Sequence, residues 1–557
     1  MLIDIQELTE NTVIESDICI VGAGAAGITI AREFIDQPYQ ICLLESGGLD
    51  FEAASQSLYQ GENLGVPYFP LKESRARYFG GSTNLWAGWS RPFDDGDFEA
   101  RSWIPYSGWP ITKAELNPYY QRAQKTCGLE SDRYDFADWE NALKALQFHP
   151  LPLGEQIETY IWQIVPPNHV RFKQAYGAEL EQANNIKTYL HANVLEIETN
   201  NPALSVTRLR VASPDGKEFW VRAKAFILAV GGIENPRLLL ASNRVQSNGL
   251  GNQHDLVGRF FMEHPYLKSG EIELAEPPVL YTKENIQVGK AFLGTALGLS
   301  RNVQQQEQIL DFCTRLVTIL PDWVEAFNRL KFKLRGKKAI FHEAFPTITE
   351  GQRFRGNASA LEDFTKVIAN LDRVAARTYA KIFDKSFYTG QSNLCQLHLI
   401  AEQAPNPDSR IQLSSERDKF GVNRVQLDWR LSRIDKYTIE RSQAIIAEEF
   451  ARSGLGRVKI ALTSDRSWDS LVGSYHHMGT TRMSNNPKQG VVNENCRVHG
   501  ISNLYVAGSS VFTTSGLSNP TLTLIALAIR LADYLKQTMA NQTTILEKVP
   551  VSSSPTQ

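Results

Sequence analysis

The sequence predicts an α/β protein, α+β overall, with a discontinuous domain built on a parallel sheet and a second, sheet-based domain. Three observations carry this prediction. Residues 17–48 indicate an apolar strand, a glycine turn, a helix and a second apolar strand, which together make a βαβ unit. Residues 205–230 alternate as in a strand meander, and residues 502–535 indicate a buried strand followed by an apolar helix. Both later segments therefore return to the first domain.

The composition narrows the class of protein. The 557 residues exceed what one hydrophobic core usually supports, so we expect two domains. The 58 basic and 61 acidic residues nearly cancel, which argues against a nucleic-acid partner. The six cysteines form no C-x-x-C pair and the first sixteen residues carry no export signal, so we expect a cytoplasmic protein. No run of about 18 apolar residues occurs, so we expect no membrane-spanning helix.

The turn after the first strand carries a dinucleotide-binding pattern. It has the form G-x-G-x-x-G and contains Gly22, Gly24, Ala25, Ala26 and Gly27. Such glycines let the backbone approach a pyrophosphate, and the helix N-terminus then faces its charge. Glu45 closes the second strand, where an acid can accept hydrogen bonds from the ribose hydroxyls. The context predicts a Rossmann-like dinucleotide site and leaves NAD and FAD both open.

Four further motifs stand beside this pattern in chain order: YFGGSTNLWAGWSRPFD at 78–94, GGIENPRLLL at 231–240, SYHHMGTTRM at 474–483 and AGSSVFTTSGLSNPTLT at 507–523. Together they resemble the glucose-methanol-choline oxidoreductase family. The resemblance covers nearly the whole chain and is weakest between about 265 and 395. It implies bound FAD and oxidation of an alcohol. Several of the motifs are most similar to the branch that contains pyranose 2-oxidase, fructose dehydrogenase and glycoside 3-dehydrogenases, so sugars are the favoured substrates.

Composition and the resemblance together divide the chain. We expect the first part of an FAD-binding domain at 1–264, with loops that cover the flavin at about 60–110. A substrate-binding domain follows at 265–465. The FAD-binding domain resumes at 466–540, with the catalytic pair. Residues 541–557 are rich in Thr, Ser and Pro, which predicts a disordered tail.

The resemblance places a catalytic pair on His476 and Asn519. In the family a histidine of the Tyr-His segment takes the hydroxyl proton while a hydride passes to flavin N5, and His476 matches it, with His477 as the competing register. Imidazole suits this role because its pKa is about 6.5. Adjacent strand residues point to opposite faces, so we expect only one of the two to face the flavin. Asn519 can orient the hydroxyl, and it can also cap the helix that Pro520 begins.

The remaining cofactor predictions concern the loop motifs. Some family members tether FAD through a histidine at the position that Leu85 occupies here, so we expect non-covalent FAD. Beyond the glycine turn and Glu45, the residues expected to contact FAD are Gly80, Gly81, Ser82, Asn84, Trp86, Ala507, Gly508, Ser509, Asn519, Pro520 and Thr521. Loop packing is the alternative role for Asn84 and Trp86. For Glu234 and Asn235 helix capping is a sufficient explanation. We predict no metal site.

The electron acceptor and other partners are left open by the sequence. No haem or iron–sulfur motif is present, so oxygen or an external acceptor must reoxidise the flavin. The basic, partly amphipathic segment 322–342 can rest on anionic lipid or an acidic redox partner, although we favour a solvated helix that covers the domain. Two alternative functions stay open. One is a non-oxidative enzyme of the same superfamily, a lyase or flavin photodecarboxylase, and the other is a flavin-binding electron-transfer protein.

Overall fold

A computed structural model describes most of the chain. The described residues are 1–319, 322–324, 326–327, 330, 360–370, 393–461, 468 and 470–547. Their strands, numbered in chain order, are β1 Leu2–Asp4, β2 Val13–Glu15, β3 Ile18–Val21, β4 Ile41–Leu44, β5 Gly61–Asn63, β6 Trp89–Ser90, β7 Ile157–Ile164, β8 Ile186–Leu190, β9 Asn193–Thr199, β10 Val206–Ala212, β11 Glu218–Arg222, β12 Ala225–Leu228, β13 Tyr266–Leu274, β14 Ile286–Val288, β15 Ala291–Leu299, β16 Phe312–Thr318, β17 Leu394–Ala401, β18 Arg410–Arg417, β19 Asn423–Asp428, β20 Gly456–Ile460 and β21 Leu504–Val506.

The α-helices among the described residues are numbered in the same way. They are α1 Ala25–Glu33, α2 Ala53–Gln56, α3 Asp95–Phe98, α4 Lys113–Thr126, α5 Phe136–Ala145, α6 Phe172–Gln182, α7 Gly231–Ala241, α8 Val279–Thr282, α9 Arg301–Glu307, α10 Ala360–Ile368, α11 Arg433–Arg452 and α12 Pro520–Glu547.

The first domain is built on a six-stranded sheet in the order β1-β8-β4-β3-β12-β21, with every pairing parallel. Strands β3, β4 and β12 are short runs of fully buried residues, as expected of strands covered on both faces. Helix α1 connects β3 to β4 and packs against α12. The predicted βαβ unit and the two later returns to this sheet are confirmed. Because the strands are parallel, their carboxyl ends meet at one edge.

The predicted meander is also present, as a separate sheet. Strands β9, β10 and β11 pair antiparallel in sequence, and β2 joins β11 in parallel. A third, small sheet pairs β18 with β19 and adds β5 from the predicted loop region.

The second domain is built on a mainly antiparallel sheet with the order β20-β13-β17-β16-β15-β7-β6, to which β14 adds through β15. Its core is a second hydrophobic cluster, separate from that of the parallel sheet. Two of its strands, β6 and β7, come from residues that the sequence assigned to the first domain. Strand β7 is mostly buried and pairs with β15 along seven residues, which satisfies its backbone hydrogen-bonding groups. The predicted domain boundary at residue 265 therefore does not coincide with a boundary of this sheet, which includes strands from both sides of it.

The first part of the predicted tail is helical. Helix α12 continues past Asn541 to Glu547, and residues 548–557 lie outside the described residues. Extending an existing helix adds one backbone hydrogen bond per residue, and residues 541–547 contain neither Gly nor Pro to stop it. Most of the basic segment 322–342 lies outside the described residues, so its role stays a prediction. Within the part of the chain that is described, no helix has the length and hydropathy to cross a membrane.

Candidate active site

A cavity of about 570 Å³ opens at the carboxyl ends of the parallel strands. This edge is the usual ligand position in such sheets, and the volume is typical of a site for a small molecule or cofactor. Its other wall carries residues of the second sheet, including Trp162, Cys313 and Ile400. Most residues that the sequence motifs singled out line it: Gly22, Gly24, Ala25, Ala26, Glu45, Gly81, Ser82, Trp86, His476, Ala507, Gly508, Ser509, Asn519, Pro520 and Thr521.

The glycine turn owes its shape to close backbone contacts. Gly22 has φ of +103°, and a Cβ added there would lie 2.7 Å from the carbonyl oxygen of Ala229. A Cβ on Gly27 would lie 1.8 Å from the carbonyl oxygen of Gly22, so this glycine allows α1 to pack on the turn. Gly24 precedes α1 with no side-chain cap, which leaves the first N–H groups of the helix open to an anionic group. A pyrophosphate fits this position.

Glu45 lies at the end of β4 and lines the same cavity. Its carboxylate accepts hydrogen bonds from the backbone N–H of Ala23 at 3.0 Å and of Gly47 at 2.9 Å. Burial raises the pKa of Glu45, and these two bonds act against the rise. Each oxygen keeps acceptor capacity for a further donor. The position therefore suits a ribose hydroxyl, as predicted for the dinucleotide.

Two other glycines leave open space beside the cavity. Gly231 has φ of +85° and Gly508 has φ of +116°, and a Cβ added at either would meet no atom within 4 Å. Both residues line the cavity, so a larger side chain would project into it. The start of α12, at Pro520 and Thr521, adds a second helix N-terminus to the wall. Together with the glycine turn and Glu45, these features fit an extended dinucleotide such as FAD.

Three predicted cofactor residues, all in the described part of the chain, do not line the cavity. Gly27 packs helix against turn, as described above. Gly80 has φ of +96° and precedes the short 3₁₀ turn that begins at Gly81. The Asn84 amide donates to the carbonyl oxygens of Phe79 and Gly81, both at 3.0 Å. Asn84 therefore has the loop-packing role that was its alternative.

The predicted catalytic pair meets at the cavity wall. Asn519 Nδ2 lies 3.3 Å from Nε2 of His476. The other ring nitrogen of His476, Nδ1, lies 2.8 Å from Nδ1 of His264, which the sequence did not indicate. Nε2 of His264 lies 2.8 Å from the carbonyl oxygen of Gly516 and 3.2 Å from that of Ser515. Burial lowers the pKa of both imidazoles, and for His476 the neighbouring histidines lower it further.

His477 also lines the cavity, which differs from the expectation that only one of the adjacent histidines could face it. The segment is not a regular strand, since Tyr475 has φ of +64°, and the alternation of faces therefore fails. Nε2 of His477 is 2.9 Å from the hydroxyl oxygen of Tyr68. Burial, with the nearby Arg75, lowers the pKa of His477 to about 3. His476 alone of the two bonds to Asn519.

The buried carboxylate of Glu263 binds the backbone at both His264 and His476. Glu263 accepts the backbone N–H of His264 and of His476, both at 2.8 Å, and that of Ser474 at 2.9 Å. It also accepts the hydroxyl of Tyr68. Burial raises the pKa of Glu263 to about 7 against these hydrogen bonds. The adjacent acidic and basic residues of MEHP at 262–265 are the one sequence signal for this group, and no spacing relates them to His476.

A cluster of buried charges lies beside the dinucleotide end of the cavity. Glu234 pairs with Arg75 at 2.7 Å, Arg237 at 3.0 Å and Arg77 at 3.6 Å, and Arg237 also pairs with Asp418 at 2.7 Å. Burial alone would raise the pKa of Glu234, but the guanidinium groups lower it to about 2. Helix capping is therefore not a sufficient explanation of Glu234, because its carboxylate joins α7 to the loop that carries Arg75.

The wall opposite the glycine turn is aromatic, with one cation. Trp89 and Trp162 line it, with ring centroids 5.9 Å apart. The guanidinium of Arg315 lies 4.5 Å from the ring centroid of Trp89 and pairs with Glu284 at 2.9 Å. Leu85, which the resemblance matched to the position of a tethering histidine, lines the cavity as well. The wall can pack the apolar face of a substrate and leaves polar contacts to few groups.

Comparisons with known proteins place the chain among oxidoreductases. A family model described as GMC oxidoreductase matches residues 405–528, which include both His476 and Asn519. The fructose dehydrogenase large subunit of Gluconobacter japonicus is 22% identical over 94% of this chain and 98% of its own length. The 2-methyl-1,2-propanediol dehydrogenase of Mycolicibacterium austroafricanum is 23% identical over 94% of this chain and 95% of its own.

One solved structure gives the same fold. Pyridoxine 4-oxidase from Mesorbium loti superposes with a TM-score of 0.54 at 16% identity, over 94% of this chain and 99% of that one. At this identity the likeness establishes the arrangement of the elements and nothing finer.

Proposed function

This chain belongs to the glucose-methanol-choline (GMC) oxidoreductase family and is an oxidoreductase acting on CH–OH groups, and we propose that it oxidises a sugar or alcohol hydroxyl with non-covalently bound FAD. One observation carries the proposal. Nε2 of His476 and the amide of Asn519 lie together on the wall of a cavity whose far end is the glycine turn and Glu45. A proton acceptor and a hydrogen-bond donor thus face the space next to the dinucleotide site.

The cofactor part of the proposal rests on the fit of the wall to FAD. The glycine turn would hold the pyrophosphate, Glu45 the ribose, and the loop at Gly81 and Ser82 the flavin end. Bound FAD supplies an acceptor for a hydride from carbon. Leu85 offers no atom for a covalent bond, which supports reversible binding.

The chain's own residues supply the proton transfer. Burial keeps His476 unprotonated at neutral pH, so its lone pair is available to take the hydroxyl proton. Asn519 can donate to the substrate oxygen as negative charge develops there, which is worth roughly 10²-fold to 10³-fold in rate per donor. The alcohol then becomes a carbonyl.

Sugars are the favoured donors. Aromatic rings such as Trp89 and Trp162 can pack on the C–H face of a sugar, and the Arg315 guanidinium can donate to its hydroxyls. The relatives named for fructose and for a diol support a polyhydroxylated substrate. Oxygen or an external acceptor completes the cycle in this proposal. A reducing, cytoplasmic setting is supported by the six cysteines, all of which are buried without a disulfide bond.

The direct test follows the flavin absorbance of the purified protein without oxygen while monosaccharides, glycosides and simple alcohols are added in turn. We expect at least one sugar to bleach the flavin, and we expect His476→Gln to keep its flavin but to bleach far more slowly. Readmitting oxygen, or adding a quinone, then identifies the acceptor by the return of the yellow colour. A protein that holds FAD and is bleached by none of these donors would refute alcohol oxidation and favour the lyase, photodecarboxylase or electron-transfer alternatives.

A further inference from the structure

A chain of hydrogen bonds runs from the backbone through two imidazoles to the cavity. The carbonyl oxygens of Gly516 and Ser515 face Nε2 of His264 at 2.8 and 3.2 Å. Nδ1 of His264 faces Nδ1 of His476 at 2.8 Å. Nε2 of His476 faces the amide nitrogen of Asn519 at 3.3 Å. The donor and the acceptor of each hydrogen bond in this network can be assigned one after another, starting from the two carbonyl groups.

The roles follow from the carbonyl groups, which can only accept. Nε2 of His264 must therefore carry its hydrogen, and in a neutral imidazole Nδ1 is then a lone pair. A lone pair on Nδ1 of His264 requires Nδ1 of His476 to donate. The second ring, being neutral as well, must then have its lone pair on Nε2, which is the nitrogen that faces the cavity.

The hydrogen bond at the Asn519 end of this network is an independent observation on the tautomer of His476. Asn519 approaches Nε2 of His476 through its amide nitrogen, which can only donate, so the partner atom must be an acceptor. The two ends of the network thus assign the same tautomer to His476. Both rings are buried and their pKa values are lowered, in keeping with two neutral imidazoles.

Hydrogen bonds to the backbone hold His264 and His476 in place beside each other. One carboxylate, that of Glu263, accepts the backbone N–H of both His264 and His476. The two rings stand nearly perpendicular, with an interplanar angle of 82° and centroids 4.9 Å apart. His264 itself is fully buried, and the hydroxyl of Ser474 donates to its carbonyl oxygen at 2.9 Å. The backbone of both residues is thus fixed, and a ring that turned away would lose the contacts of its own two nitrogens.

We propose that His264 is a positioning residue that holds His476 in the Nδ1–H tautomer, so that the Nε2 lone pair faces the cavity and can take the substrate proton. The inference rests on the proposed function, in which His476 is the base. In the opposite tautomer Nε2 would carry a hydrogen and could accept no proton from the hydroxyl. His264 therefore acts on the reaction through His476 and need not touch the substrate.

Two substitutions separate this role from simple packing. In His264→Gln, the amide oxygen can accept from Nδ1–H of His476 while the amide nitrogen donates to the carbonyl groups of Gly516 and Ser515. In His264→Leu neither bond can form. His398→Gln is the matched control, since His398 is a buried histidine of β17 that does not line the cavity.

The tautomer is read directly from ¹⁵N NMR of the holoenzyme labelled at its histidines, with the His476 signals assigned through their loss in His476→Gln. We expect a protonated Nδ1 and an unprotonated Nε2 for His476 in the unsubstituted protein, in His264→Gln and in His398→Gln, and a mixture of tautomers in His264→Leu. With a donor that bleaches the flavin, His264→Leu should slow anaerobic flavin reduction by at least about 10²-fold and up to about 10⁴-fold. His264→Gln should stay within about 10-fold.

The outcomes distinguish the inference from the function on which it rests. A protonated Nε2 in the unsubstituted holoenzyme, or an unchanged tautomer in His264→Leu, would overturn the role of His264 whatever the activity. If no donor is oxidised but the predicted tautomer is present, the proposed function fails and the tautomer assignment stands. If His264→Leu does not fold, the unsubstituted protein and His264→Gln still decide the tautomer.

Discussion

Neutralising Glu234 is expected to lower the stability of the protein by roughly 3 kcal/mol. The pKa of this buried carboxyl falls from its ordinary value of 4.5 to about 2 because Arg237, Arg75 and Arg77 surround it. That difference corresponds to about 3 kcal/mol of stabilisation by the ionised form. Glu234→Gln removes the charge but keeps the shape, so the buried guanidinium of Arg75 loses its partner. The size agrees with the cost of breaking a buried ion pair, about 3 to 5 kcal/mol.

The measurement is urea unfolding of Glu234→Gln at neutral pH, with Glu440→Gln on the exposed face of α11 as the control. Apoprotein and holoenzyme should both be tested, because Arg75 also lines the cavity. The folded-state pKa of Glu234 is lowered, so its stabilisation is present above about pH 4.5 and is lost as the pH falls through about 2. The deficit of the variant should therefore shrink in acid. A loss below about 1 kcal/mol at neutral pH would refute the reasoning.

Three further predictions concern the site. Asn519→Ala should slow anaerobic flavin reduction by roughly 10²-fold to 10³-fold with FAD still bound, and loss of FAD in this variant would make Asn519 structural instead. Acid precipitation should release all of the flavin into the supernatant, because Leu85 offers no tether; colour kept in the pellet would contradict this. Flavin reduction should not slow between about pH 8 and pH 6.5, since burial and the neighbouring histidines lower the pKa of His476 well below 6.5; a stopped-flow series with an acid limb in that range would disprove it.

The cofactor end of the site could be predicted because its chemistry is local in sequence. The glycine turn, α1 and Glu45 follow one another within thirty residues or so, and each has a backbone or hydrogen-bonding reason for its residue type. The motif at 507–523 was similarly informative, since a strand end and a helix start enclose it. Such local patterns determine where the backbone turns and which backbone groups stay available to a ligand, independently of distant segments.

The support of the catalytic histidine could not be predicted in the same way. His264 and Glu263 lie more than two hundred residues before His476, and only the tertiary fold brings them into contact with it. No periodicity links them to His476, and the predicted domain boundary falls directly after His264. The positive φ of Tyr475 also escaped prediction, since tyrosine seldom adopts it, and it turns both His476 and His477 to the cavity. Local sequence patterns therefore do not predict long-range contacts or unusual backbone conformations such as that of Tyr475.

Contacts between segments that lie far apart in the sequence hold the site together. The backbone N–H of His476 is bonded to the carboxylate of Glu263, which lies just ahead of β13. Asn519 directly precedes α12, which packs against α1 and α4. The hydrogen bond between Asn519 and His476 joins the segment of His476 to the start of α12 at the cavity. The tautomer of the base depends on Gly516 and Ser515, which precede Asn519 by only a few residues. Changes on the aromatic wall of the second sheet can consequently alter which donor fits while the proton acceptor and its support stay as they are, which is how one fold serves different substrates.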